Sequence, residues 1–342
     1  MIWNDYKAEI HEIILPELDE QNIKLSILRE DLVDPQISGN KYRKLKYNFL
    51  EAEKFGYAQI LTFGGAFSNH ISATAAAGKR HHIKTIGIIR GEELKDKIDE
   101  NPTLKFAKDC GMDLHFISRE EYRLKDDENF LANLKNKFPD TYVVPEGGTN
   151  NLAINGCKEI LYNLCDQYDY IAVAIGTGGT IAGLIDAAKP HQKIIGFPSL
   201  KGDFIQNDVE KLSENRNFTI FNEYHFGGYG KVNDELINFV NYFKKSTKIQ
   251  LDPIYTGKMV FGVLQLIKNH YFSSCSKVLM VPTPKSKSGI SAFLISTILV
   301  KFLRAASPRL VYSIARIPAL YTDFKISIVT VSSALKYNGR IP

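Results

Sequence analysis

Cysteine is scarce in this chain. Four residues (Cys110, Cys157, Cys165 and Cys275) are scattered over 342 positions, with no CxxC pair and no metal-ligand spacing. Reduced thiols are expected, with neither a disulfide framework nor a metal centre. Long apolar runs are missing too: the nearest, Ile290–Val300, is closed by Lys301 and falls short of the roughly 20 residues a membrane helix needs. The opening MIWNDYKAEIHEI lacks the basic-then-apolar order of a secretory signal. A cytoplasmic protein that contacts no membrane is expected. No GxxxxGK[ST] occurs, and no complete GxGxxG with a downstream acid, so nucleoside triphosphates and dinucleotides are poor candidate ligands. Acids are nearly absent from one segment. From Thr283 to Pro342 there are nine Lys/Arg and one acid, Asp323, so the overall +5 arises there. Residues 1–282 carry 34 basic and 37 acidic side chains, a mildly acidic body with no footprint for nucleic acid.

What is present is ordinary globular composition, 44% hydrophobic and 24% charged, long enough for two domains. Gln59–Phe63, Thr85–Ile89, Asp113–Ile117, Tyr142–Val144, Tyr170–Ile175, Lys193–Phe197 and Lys277–Val281 read as buried strands. Helical patterns over Lys44–Phe55, His70–His81, Asn101–Cys110 and Gly156–Cys165 lie between them. This alternation predicts an α/β architecture of two lobes, each a largely parallel sheet flanked by helices, with a cleft between them. The grouping changes near residue 152.

Four clusters carry the chemistry. Ser38-Gly39-Asn40-Lys41-Tyr42-Arg43-Lys44-Leu45 sets Lys41 at a helix start, where positive partial charge disfavours an ammonium and favours a nucleophilic amine. A solvated basic helix is the ordinary alternative. Phe63-Gly64-Gly65-Ala66-Phe67-Ser68-Asn69-His70 places three short polar groups at the carboxyl end of a strand, where open α/β sheets bind ligands; an ordinary helix cap reads equally well. Gly176-Thr177-Gly178-Gly179-Thr180 joins a strand to a helix and suits a monophosphate without a nucleotide, or else is a tight turn with no ligand. Phe226-Gly227-Gly228-Tyr229-Gly230 and Pro253-Ile254-Tyr255-Thr256-Gly257-Lys258 each set a tyrosine beside glycine. Taken singly, such tyrosines are more often packed loop aromatics than acids or bases.

The ordered set SGNKYRKL, FGGAFSNH, PEGGTN (Pro145–Asn150), GTGGT and YTGK resembles the D-cysteine desulfhydrase and 1-aminocyclopropane-1-carboxylate deaminase family, of tryptophan-synthase-β-like fold, over about residues 5–282. The resemblance implies pyridoxal 5'-phosphate as cofactor, a small amino acid as substrate and a homodimer. It implies that Lys41 is the Schiff-base lysine and shuttles the Cα proton, that Asn69 bonds the cofactor's phenolic oxygen, and that Ser68 and His70 face the substrate. Gly176, Thr177, Gly178, Gly179 and Thr180 would form the phosphate cup, and Thr283 would remain from a turn near the pyridine nitrogen. Tyr229 and Tyr255 match the family's active-site tyrosines. It also implies a large cofactor-binding domain of residues 1–45 with 153–282, and a small domain of 46–152.

Ring-opening deaminases of the family carry a glutamate after the second tyrosine, whereas this chain has Thr256. Elimination from D-cysteine to pyruvate, ammonia and sulfide is therefore expected. The ring-opening deaminase, which gives 2-oxobutanoate and ammonia, and a catalytically impaired relative are the alternatives. The last arises from the tail: after Val281 the family's glycine turn is replaced by Pro282-Thr283-Pro284-Lys285, and acids vanish in the same place. Residues 283–342 read as an atypical tail from a frame shift that does not complete the fold, or as an appended segment.

Overall fold

The computed structural model describes residues 3–4, 6–37, 39–161 and 167–282. Ser38, Cys165, Thr283 and the whole atypical tail lie outside the described residues.

Ten strands are described: β1 (Ile10–Ile13), β2 (Lys24–Leu28), β3 (Gln59–Gly64), β4 (Lys84–Arg90), β5 (Asp113–Ile117), β6 (Thr141–Val144), β7 (Tyr170–Ile175), β8 (Lys193–Pro198), β9 (Phe218–Ile220) and β10 (Lys277–Val281). The α-helices described are α1 (Asn40–Lys54), α2 (Asn69–His81), α3 (Pro102–Asp109), α4 (Glu128–Lys137), α5 (Asn151–Lys158), α6 (Gly179–Ala187), α7 (Phe204–Leu212), α8 (Asp234–Thr247) and α9 (Thr256–Lys268). One sheet has the order β1-β2-β10-β7-β8-β9 and the other β5-β4-β3-β6. Every pairing is parallel except β1 with β2. Both sheets belong to one compact unit.

The burial of β7 shows why these runs form central strands. Ala172 and Ala174 point to one face, against Leu236, Val240, Phe243, Met259, Val260 and Val263 of α8 and α9. Ile171, Val173 and Ile175 point to the other, against Ile181, Leu184 and Ile185 of α6 and Val209 of α7. A parallel strand covered on both faces must be apolar throughout, and YIAVAI is. In the smaller sheet, Leu61, Phe63, Ile86 and Ile88 cover one face with Tyr122 and Leu134. On the other face Ile60 and Val144 meet Leu45 and Phe49 of α1 and the alanines of α2. No helix among the described residues is long and apolar enough to cross a membrane.

Several elements differ from the sequence reading. The first helix begins at Asn40 rather than Lys44, because Gly39 (φ 62°) turns the chain into it. The helix expected over Gly156–Cys165 is α5, which starts at residue 151 because Asn150 caps it through the Ala153 amide (2.9 Å). Strands β1, β2 and β9 and helices α4, α7, α8 and α9 were not anticipated. The three strands have five residues or fewer, and β1 lies on a sheet edge, so their alternation is too brief to read.

The two sheets are joined where α1 crosses α5. A Cβ at Gly156 would lie 2.0 Å from the Arg43 carbonyl oxygen, so only glycine permits this approach. Below it, Arg43 is paired with Glu30 (2.9 Å) and Lys46 with Glu159 (3.0 Å), all largely buried. Replacing Gly156 with Ala should cost about 1–3 kcal/mol or more, read as a lower denaturant midpoint at unchanged slope; an unchanged midpoint would mean that the helices can part freely.

Candidate active site

Lys41, Ser68, Asn69, His70, Gly176, Thr177, Gly178, Thr180, Tyr229 and Tyr255 all line one cleft of about 850 Å³. Gly179 sits behind this lining, packed toward Thr149 and Lys44. The cleft opens at the carboxyl ends of β3, β4 and β7, where residues leave the strands with unpaired backbone groups.

Lys41 is the second residue of α1, and its Nζ lies 3.5 Å from the Gly147 carbonyl oxygen. Burial, and after it the charge of Lys44, holds its amine well below the usual lysine range. The helix end proposed from the sequence is therefore not the leading cause. The direction is the same: the amine gives up its proton more readily than an ordinary lysine.

Lys44 was missed. It was grouped with a solvated basic face, yet it is 1% exposed. Its Nζ donates to the Gly147 carbonyl (3.0 Å), Thr149 Oγ1 (2.9 Å) and Thr177 Oγ1 (3.3 Å), and burial lowers its pKa to about 8. The i,i+3 spacing of Lys41 and Lys44 could have shown that both face the same way.

The glycine loop enters α6 through Gly178, whose φ of +81° favours glycine. The first amides of α6 have no partner within the helix and point toward the loop. A Cβ at Gly176 would lie 3.3 Å from Tyr255, and one at Gly179 would lie 2.9 Å from Thr149 and 3.1 Å from Lys44 Nζ. The loop is thus a cradle that side chains would fill, edged by an ammonium and by the Thr149 and Thr177 hydroxyls, 2.6 Å apart. Its donor set fits a phosphate.

Ser68 caps α2 by accepting from the Ile71 amide (3.3 Å), a bond that does not use its hydroxyl proton. His70 is 2% exposed. The Thr62 hydroxyl donates to the Val144 carbonyl (2.8 Å) and so accepts from His70 Nε2 (2.7 Å). The proton is then on Nε2, and Nδ1 is a buried acceptor without a partner. Burial, with Lys41 and Lys44 nearby, holds this ring neutral. Asn40 is also oriented, donating to Thr180 Oγ1 (2.7 Å), while its Oδ1 is buried without a partner. Two bare acceptors beside a lysine amine leave room for a polar ligand.

Tyr229 and Tyr255 meet edge to face at 5.9 Å. Burial raises both phenol pKa values, that of Tyr255 strongly, so both rings stay protonated. Lys258, also missed, is buried beneath them and donates to the carbonyls of His225 and Gly228, each at 2.8 Å, pinning the Tyr229 loop. Thr256 differs from the sequence argument. Its hydroxyl turns from the cleft and donates to Asp252 Oδ2 (2.6 Å), a carboxylate that also accepts from the amides of Tyr255 and Thr256.

A buried lysine amine that gives up its proton readily, set beside a phosphate-sized glycine cradle, suits an enzyme that holds a phosphorylated carbonyl cofactor. Residues 13–283 match the family model for pyridoxal-phosphate dependent enzymes. The chain is 32% identical over 286 residues to a bifunctional D-cysteine desulfhydrase/1-aminocyclopropane-1-carboxylate deaminase, mitochondrial, of Arabidopsis thaliana, covering 75% of this chain and 71% of that one. It is 30% identical over 275 residues to a putative 1-aminocyclopropane-1-carboxylate deaminase of Thermotoga maritima, covering 73% and 86%. The crystal structure of an ACC deaminase homologue superposes with a TM-score of 0.71 at 26% identity, covering 83% of this chain and 90% of that one. The chain belongs to the pyridoxal-phosphate dependent enzymes, in the D-cysteine desulfhydrase/1-aminocyclopropane-1-carboxylate deaminase family with the tryptophan-synthase-β-like fold. It is a lyase-type enzyme of small amino acids, and its cofactor is pyridoxal phosphate.

The lowered pKa of Lys44 carries a pH dependence. Its folded value, about 8, is below the 10.5 of a free lysine, so the unfolded chain binds more protons between the two. Stability of the apoprotein should therefore rise from pH 8 toward 10.5, while affinity for inorganic phosphate falls as the ammonium is lost. Phosphate binding followed by calorimetry from pH 6.5 to 9.5 should show this fall, and Lys44→Met should flatten it; a variant with the wild-type profile would move the phosphate elsewhere.

Proposed function

We propose that the protein eliminates the β-substituent of a small amino acid such as D-cysteine, giving pyruvate, ammonia and sulfide. The observation that carries this reading is the cleft itself. A Lys41 amine held well below the usual lysine range, a pair of protonated tyrosines and a cationic phosphate cradle share one cavity, and the position after Tyr255 turns no acid into it.

When bound, pyridoxal phosphate supplies the electron sink at the substrate's Cα. The remaining roles fall to the chain. Gly176–Thr180 and Lys44 would hold the phosphate, and the Asn69 amide would hold the cofactor's phenolic oxygen. Ser68 and the start of α2 receive the substrate carboxylate, with His70 fixed behind them as a neutral acceptor. Lys41 removes the Cα proton. The Cβ–S bond then breaks with its electron pair on sulfur, and a phenol proton from the Tyr229–Tyr255 pair neutralises the departing thiolate. Water completes the balance, so that one cysteine and one water yield one pyruvate, one ammonia and one hydrogen sulfide.

The acids lining the cleft among the described residues are Glu93 and Glu146, and both face cations, Arg119 and Lys125. That leaves no carboxylate of the kind expected after the second tyrosine in ring-opening enzymes, which favours elimination of a good leaving group over opening of a cyclopropane. Assaying D-cysteine, L-cysteine and 1-aminocyclopropane-1-carboxylate side by side tests this. Sulfide and pyruvate from D-cysteine are expected, with little 2-oxobutanoate; preferential 2-oxobutanoate release would reverse the assignment.

A further inference from the structure

The cleft has more positive charge than a cofactor phosphate requires. Lys41 and Lys44 stand at its inner end. Arg90, Arg119, Arg123 and Lys125 line its outer part, all four contributed by β4 and the segment after β5. Two of these are neutralised: Arg119 pairs with Glu93, and Lys125 with Asp126 (2.9 Å) and Glu146 (3.8 Å). Arg90 has no carboxylate partner among the described residues. Its guanidinium lies over the Tyr122 ring, 5.6 Å from the centroid, and Tyr122 is 3% exposed and packed with Leu61, Phe63, Ile86 and Ile88. Stacking on a buried ring holds the head group in place without using its hydrogen-bond donors. The same head lies against the Gly65 turn, where a Cβ would sit 3.5 Å from its NH2 nitrogen. That turn leads directly to Ser68, so Arg90 stands one step outward from the proposed carboxylate position. A positioned, unpaired guanidinium in a ligand cleft is suited to a planar or tetrahedral oxyanion.

We propose that Arg90 is a specificity-determining residue that binds an oxyanion on the substrate's side chain, so that the preferred substrates are amino acids whose β-substituent is itself anionic. The proposal rests on the elimination reading for its catalytic test alone. For a sulfate ester the proton leaves Cα, the Cβ–O bond breaks with its electron pair on the departing sulfate, and water yields pyruvate and ammonia.

The test uses the full 342-residue holoenzyme with two substrates that share Cα chemistry, D-serine O-sulfate and β-chloro-D-alanine, and the variants Arg90→Met and Arg90→Lys. In the first, the kcat/KM ratio of sulfate ester to chloride should fall about tenfold or more, the loss of one charge-assisted contact, and lysine should restore part of it. An equal loss on both substrates would assign Arg90 to the α-carboxylate instead, and no loss on either would remove it from the site; both outcomes overturn the proposal. A second readout needs no turnover. Succinate should bind more tightly than butyrate by calorimetry, and Arg90→Met should erase the difference. Absence of pyruvate from both substrates would count against the elimination reading, while the succinate comparison would still decide the role of Arg90; equal binding of the two acids would overturn it.

Discussion

Two lysines, three residues apart on one helix, are buried together in α1, and neither has a carboxylate partner among the described residues. Water would stabilise both ammonium groups, but here burial opposes both, and the charge of Lys44 opposes that of Lys41 as well. The two are compensated unequally. Lys44 has a carbonyl and two threonine hydroxyls within 3.3 Å and keeps a pKa of about 8, whereas Lys41 has one carbonyl at 3.5 Å and is held well below the usual lysine range. In the proposed reaction the Lys41 amine is the nucleophile, and Lys44 would remain a cation for phosphate over much of the neutral range. The rest of the site depends on this division, since an ammonium at Lys41 could neither attack a carbonyl nor accept a proton.

Such a division needs a rigid helix, and the packing around α1 supplies it. Arg43 and Lys46, between and beyond the two lysines, are tied to Glu30 and Glu159, and the Tyr47 hydroxyl also reaches Glu159. Buried ion pairs of this kind contribute little net stability, but removing one partner strands a charge and costs several kcal/mol, roughly 3–5. Their role here is placement: α1 cannot rotate without breaking them. On the opposite wall, Lys258 does the same for the tyrosine loop by binding two backbone carbonyls. In the proposed reaction basic residues thus have three parts in this cleft, as nucleophile, as anion holder and as a fastener of backbone.

Much of this was legible in the sequence because strands covered on both faces leave a continuous apolar signature, as YIAVAI and TIGII do, and because glycine clusters mark where backbone must approach a ligand. The strand-end positions of Ser68 and Gly178 followed from those two signals, whereas Lys41 and Tyr255, at the starts of α1 and α9, were marked by the family resemblance. Lys44 and Lys258 stood out in neither way, since a lysine bonded to carbonyls looks in sequence like any solvated lysine. Arg90 was hidden in the same way: it ends β4, and the glycine after it, Gly91, reads as an ordinary strand-end turn. Thr256 was placed correctly in the chain and misjudged in orientation, because Asp252, four residues earlier, draws its hydroxyl into a capping arrangement. Charge and spacing predict which residues gather; they do not predict which partner each takes.

The central proposal is that Lys41, rather than Lys44 or Lys258, is the lysine whose amine joins the cofactor. Borohydride reduction of the pyridoxal phosphate-loaded protein, followed by peptide mass mapping, tests it directly. The account predicts a single pyridoxyl-modified peptide carrying the label on Lys41, and a label on Lys44 or Lys258 would contradict it.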